Sequence, residues 1–404
     1  MEQQNNWITK VAIFLTSQTI SLFGSSIVAF AIVWHIALET SSGSFMMISI
    51  MCSFLPQVLI SLFAGVWADR YNRKALIMLA DLFIAVATLI LALYFISGVQ
   101  SMTMLFAVSV IRSIGAGVQT PAVGAILPQL VPADKLTKVN GINSAFSSIL
   151  LLVSPAVGGL LLATVGFAYV LLVDVVTALL AVAIMLFLKV QKHESTAEPA
   201  SAIEELKAGI AYSKNNLLIK KLLIFYLLFF FLITPAAFLT PIMIERSFGP
   251  EVWRLTASEI FWTLGSLIGG VFVSVWGGLK NRIATMALSS LGFGVTFGLL
   301  GFATNFYVFL VIILISGIFM PVFNTAETVL IQENVEESMM GRVFSIVQII
   351  ASTAIPCGML VFGPLADIMK VEYILIATGI VLALLSLYIF KNQDLIKQSN
   401  QEDS

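Results

Sequence analysis

Ionisable side chains inside long apolar runs are the chemistry this sequence offers. Asp81, Arg112, Asp174 and Glu327 each interrupt such a run, and a charge there costs a few kcal/mol unless it faces the protein interior and finds a partner. A carboxylate that is costly to charge can load and release a proton as its surroundings change. The three acids are therefore candidates for proton coupling. Arg112 holds its proton at any physiological pH and can only tune an acid beside it. At the helical rise, Arg112 lies ~15 Å and Asp174 ~10 Å from the outer ends of their runs, and Asp81 ~8 Å from the inner surface. Either acid can pair with Arg112, as a coupling element or as a static ion pair. Glu327 follows Asn324 on one face, a turn or two from the inner end of its run, placed equally well to carry a proton or to stand in solvent.

A second concentration of charge separates two runs: Gly65-Val66-Trp67-Ala68-Asp69-Arg70-Tyr71-Asn72-Arg73-Lys74. Asp69 falls at the C-terminal end of a helix, whose dipole repels a carboxylate, so it requires a cation or another helix's N-terminus. Arg70, Arg73 and Lys74 are the nearest cations, and the packet is a candidate latch. Polar residues also recur at helical spacing: Gln18, Ser21 and Ser25; Asn140, Asn143 and Ser147; Ser345, Gln348 and Ser352. Each set occupies one side of a helix, either for helix–helix hydrogen bonding or as a wet substrate path, to which Gln119 and Asn324 are added.

These residues must be positioned by membrane helices. The chain of 404 residues is 59% hydrophobic and 11% charged, with mean hydropathy +1.01, a membrane composition. About 20 apolar residues span a bilayer, and twelve such runs fall near 11–37, 45–67, 76–97, 102–122, 138–164, 167–188, 217–244, 256–277, 283–302, 306–326, 342–366 and 371–390. The first lacks the pattern of a signal peptide and reads as a retained span. A hydrophilic stretch from Lys189 to Asn216 divides six spans from six. It predicts three parts: a bundle over 1–188, a linker over 189–216 and a second bundle with a short tail over 217–404. Ile203, Leu206 and Ile210 in the linker suggest an amphipathic helix on the membrane surface. With both termini inside, 17 of the 21 Lys and Arg fall in inner segments and only Arg246, Arg254 and Lys370 outside, which orients the chain.

The halves echo one another, as in transporters built from repeats. Gln129 precedes Pro155 by 26 residues and Gln332 precedes Pro356 by 24. Val66-Trp67 before the first charged packet recurs as Val275-Trp276 before Lys280-Asn281-Arg282, where no acid is present, so only the first packet is a complete latch. A net charge of -1 argues against nucleic acid. Cys52 and Cys357 read as inert buried thiols, His35 and His193 have no second ligand, and no G-x-x-x-x-G-K-[ST] run provides ATP drive. Neither a metal, a cofactor nor an enzyme is expected.

The packet at 65–74 resembles the loop signature G-x-x-x-D-R-x-G-R-K of the major facilitator superfamily, with Asn72 where glycine is usual, a residue able to adopt a left-handed turn. Ser154-Pro155-Ala156-Val157-Gly158-Gly159 resembles the span-five antiporter signature G-P-x-x-G-G, with serine at its first position. Arg112-Ser113-Ile114-Gly115-Ala116-Gly117 resembles R-x-x-Q-G-x-G without the glutamine. The wording of 111–161, and Gly341-Arg342-Val343-Phe344-Ser345, is similar to bacterial macrolide efflux proteins. The resemblance implies an all-α membrane protein of twelve transmembrane helices in two pseudo-symmetric six-helix bundles. It implies a monomer in the bacterial cytoplasmic membrane that exports hydrophobic or amphiphilic drugs in exchange for protons by alternating access. The proton gradient supplies the energy, and Asp69 and Arg70 latch span two to span eleven near Gly341-Arg342. An importer or facilitator of another small molecule, or a non-transporting receptor, is the alternative.

Overall fold

The structure, a computed structural model, describes residues 2–190 and 202–391. Part of the linker, including His193 and Pro199, and the tail from residue 392 lie outside the described residues. Fourteen α-helices follow in order among them: α1 Glu2–Thr40, α2 Gly43–Arg70, α3 Arg73–Ile96, α4 Met102–Leu130, α5 Leu136–Thr164, α6 Phe167–Leu186, α7 Ala202–Asn215, α8 Leu217–Phe238, α9 Thr240–Phe248, α10 Val252–Trp276, α11 Arg282–Leu300, α12 Phe306–Asn334, α13 Glu337–Ile368 and α14 Val371–Lys391. With α8 and α9 counted as one crossing and α7 set aside, twelve spans are long and apolar enough to cross a bilayer. Helices satisfy every backbone group internally, so lipid selects them and permits short connections. Several starts are fixed by Asn or Ser caps, with Asn72, Ser101, Asn216, Asn281 and Asn305 accepting from the first turn of the helix each precedes.

The chain separates into two compact units, Met1–Glu39 with Ile48–Glu198, and Thr40–Met47 with Pro199–Ser404. In the first unit α3 packs on α4 and α6, and in the second α11 packs on α12 and α14. The same pairs of spans thus meet in each half. At one end of the first unit, Phe14, Ala68, Ile77, Ile126 and Met185 form a buried apolar cluster, which anchors the chain beside Asp69. The second unit is built on rings: Phe229 stacks on Phe323 at 4.0 Å, and Phe225, Tyr226 and Phe293 surround them.

Helix α7 docks on α13, where a Cβ at Gly209 would lie 3.1 Å from Arg342 Cβ. Ile210 is exposed. The docking face carries the buried Gly209 and Ser213; the side chains of Ile203 and Leu206, the other residues of the apolar stripe, lie outside the described residues.

Candidate functional site

The buried charges of the first unit are settled by neighbouring helices. Arg112 on α4 forms a buried ion pair with Asp174 on α6 and donates to Thr88 Oγ1 on α3. Thr88 Oγ1 lies 3.1 Å from Asp174 Oδ2, and Ser25 on α1 donates to Asp174 Oδ1 at 2.7 Å. Four helices thus converge on one carboxylate. Gly24 permits this approach, since a Cβ there would fall 1.8 Å from Thr177 Oγ1 and 3.1 Å from Asp174 Cα. Asp81, the other acid that spacing allowed as a partner of Arg112, is held differently. Ser21 donates to Asp81 Oδ1 at 2.6 Å and Gln119 Nε2 at 2.8 Å. Asp81 is 3% exposed and has neutral donors but no cation among the described residues. Ser21, Ser25 and Gln119, read as lining a path, are bound to these acids.

Ser113, beside Arg112, ties α4 to α2. Its hydroxyl accepts from Gln57 N–H at 2.9 Å and donates to Ser53 carbonyl at 2.6 Å. Those two groups bond each other in an unbroken helical turn, so Ser113 enters the ladder of α2 next to Pro56, a combination that bends helices. One turn later a Cβ on Gly117 would lie 2.8 Å from Gln57 carbonyl, so glycine is what allows the close crossing. The Arg-Ser-x-x-x-Gly spacing thus carries both an ion pair and a wedge.

In the 65–74 packet, Arg73 donates to Ala68 carbonyl at 2.8 Å and Ala125 carbonyl at 2.7 Å, and pairs with Asp69 at 3.1 Å. Lys74 caps the end of α6 through Leu186 and Leu188 carbonyls at 3.0 and 2.8 Å. Arg73 and Lys74 therefore serve as anchors among α2, α4 and α6. Asp69 is 63% exposed and Arg70 is exposed, and Gly65 has open space around its Cα. Asn72 sits at φ −65°, ψ 110° and accepts from Ala75 N–H at 3.2 Å. It replaces glycine as a helix cap and not through a left-handed turn.

The second unit has a counterpart that spacing did not reveal. Arg282 opens α11 as Arg73 opens α3, donates to Gly277 carbonyl at 2.9 Å, and meets Glu333 of α12 at 3.3 Å. The acid missing from 275–282 is thus supplied 51 residues later. Glu327 is 8% exposed, buried rather than solvated, and neither its Oε1 nor the buried Tyr226 hydroxyl has a partner among the described residues. Asn324 is exposed, so the two do not share an environment despite their spacing.

Of the remaining candidates, Ser154, Pro155, Gly158 and Gly159 are all buried, with Gly158 facing Ile27 of α1 at ordinary contact distance. Gln18 is 3% exposed with Nε2 unpartnered. Asn140, Ser147, Ser345 and Gln348 are exposed and Asn143 is half-buried. Gly341 has open space and Arg342 is half-buried, in contact with Met339 Sδ at 3.2 Å.

Twelve apolar spans in two similarly packed units, with ionisable groups held inside them, have the major facilitator fold. The chain belongs to the family described as transmembrane secretion effector, whose model matches residues 8–404. It is 30% identical over 384 residues to macrolide efflux protein A of Streptococcus pyogenes, covering 94% of this chain and 95% of that protein. It is 24% identical to the multidrug efflux pump Tap of Mycobacterium tuberculosis, covering 91% of this chain and 89% of that one. Among solved structures, the nucleoside transporter NupG superposes with a TM-score of 0.71 at 16% identity, covering 96% of this chain and 99% of NupG; that likeness concerns the fold.

Proposed function

We propose that this protein exports hydrophobic or amphiphilic drugs of the macrolide kind by proton antiport, through alternating access of bundles 1–188 and 217–404 joined by the linker 189–216. The substrate class is supported by kinship with macrolide and multidrug efflux proteins along nearly the whole chain. The coupling rests on one observation: Asp81 and Glu327 are buried without a cation among the described residues. A buried carboxylate lacking a counter-charge is costly when ionised and dry, and is relieved by protonation or by water. A cycle that alternately wets and dries these groups therefore moves protons. Arg112 and Asp174 compensate each other and tune the network without carrying the proton. The 65–74 packet acts as latch through Asp69 and Arg70, with Gly341-Arg342 as its partner by resemblance. The protein works as a monomer with both termini in the cytoplasm, the orientation favoured by its Lys and Arg distribution.

A drug-susceptibility panel in a hypersensitive bacterial strain, with and without a protonophore, tests this reading. Expression raises macrolide tolerance and the protonophore abolishes the gain. Tolerance that survives collapse of the proton gradient overturns the coupling, and no gain for any amphiphilic drug overturns export.

A further inference from the structure

The second unit contains a cavity of about 250 Å³ bounded by α8, α10, α11 and α12, with single residues from α9 and α13. Five rings line it, from Phe230, Phe238, Trp262, Phe293 and Phe297, and Glu259 is its one ionisable residue. Of the other polar lining groups, Ser258 donates to Leu255 carbonyl at 2.8 Å and Thr240 to Ala236 carbonyl at 2.5 Å. Glu259 accepts no hydrogen bond and pairs with no cation among the described residues, although it stands seven residues into α10, ~10 Å along the helix axis. It is half-buried in a wall of rings, with Trp262 one turn further along the same helix and Phe293 6.3 Å from Trp262.

We propose that this cavity is a binding subsite for the cationic head of a lipophilic amine or quaternary ammonium compound, with Glu259 as counter-ion and Trp262, Phe293 and Phe297 as the aromatic cage. A carboxylate supplies charge, and ring faces add attraction that survives without a hydrogen-bond donor on the ligand. An amide or a sugar hydroxyl would leave the carboxylate uncompensated, so the site selects for positive charge rather than polarity. Complete drug pockets span ~300–1,000 Å³. At about 250 Å³ this cavity takes an amine head and a ring beside it, not a whole macrocycle. The assignment rests on the efflux reading for its biological meaning, but its physical content is equilibrium binding.

The test uses the full chain purified into lipid nanodiscs, at neutral pH and with no proton gradient, and phenyltrimethylammonium, a quaternary head with one ring, as the probe. Saturable binding is expected, accompanied by a change in Trp262 fluorescence that Trp262→Phe removes. Glu259→Gln weakens binding by about tenfold or more, as expected when a desolvated counter-ion is lost. Glu259→Asp keeps part of the affinity, and Trp262→Ala costs about threefold to fivefold. Glu251→Gln, which removes an exposed charge preceding the same helix, leaves binding within about twofold, the range of a screened surface charge. Tetramethylammonium, which is the head alone, competes with the probe. Unchanged affinity in Glu259→Gln overturns the site, as does competition by a neutral isostere as strong as by the cation. If Glu259→Gln does not fold, an unaltered fluorescence signal in Trp262→Phe overturns it instead. Cation binding that depends on Glu259 without any drug flux leaves the site standing and removes the efflux reading; flux with unchanged affinity in Glu259→Gln does the reverse.

Discussion

The two halves share a frame and hold their acids differently. In the first, Asp174 is matched by Arg112 and receives Ser25, and Asp81 receives Ser21 and Gln119. In the second, the buried Glu327 has an unpartnered oxygen and the half-buried Glu259 lies beside aromatic rings, neither with a cation among the described residues. Yet the same pairs of spans meet in both, and Arg73 and Arg282 occupy corresponding starts of α3 and α11. Packing geometry is thus conserved between halves by the need to bury spans, while polar satisfaction is a separate choice made side chain by side chain. A cation-paired acid holds helices in register; an acid without a cation, whether hydrogen-bonded like Asp81 or not, is available to a proton or a cation.

The largest expected effect breaks the first half. Arg112→Met leaves Asp174 buried and uncompensated, a loss of ~3–5 kcal/mol, and Arg112→Met with Asp174→Leu recovers most of it. Thermal unfolding in detergent, read by fluorescence-detected size exclusion, measures both. Glu327→Gln sharpens the contrast, because it removes an uncompensated charge: stability stays within ~1 kcal/mol or rises. Equal losses in the two variants would erase the difference between halves.

Gly24→Ala is next, expected to cost ~1–3 kcal/mol because a methyl must displace Thr177 and part α1 from α6; the same assay reads it. The smallest stability effects belong to the exposed pairs. Asp69→Asn and Glu333→Gln each change unfolding by less than ~1 kcal/mol. They separate in function: Asp69→Asn abolishes drug tolerance in cells with normal membrane levels, while Glu333→Gln retains it. Undiminished tolerance in Asp69→Asn would remove the latch.

Spans were legible in the sequence because lipid demands long apolar helices and tolerates few alternatives. Partnering was not. Whether Asp81 or Asp174 meets Arg112 depends on the rotation of α3, α4 and α6 about their axes, which spacing along one helix cannot give. Glu333 was invisible as the partner of Arg282 because α11 and α12 bring distant positions together. The aromatic setting of Glu259 was invisible because Phe230, Phe238, Phe293 and Phe297 come from other helices. Asn72 kept the function of a missing glycine by a different route, capping instead of turning.

The central claim is that Asp81 and Glu327, buried and without a cation among the described residues, carry the proton. Flux of a macrolide out of proteoliposomes under an imposed pH difference, compared between the unaltered protein and Asp81→Asn with Glu327→Gln, tests it most directly. The expected result is that the double variant still exchanges drug down its own gradient but no longer responds to the pH difference. A full response to the pH difference in that variant would contradict it.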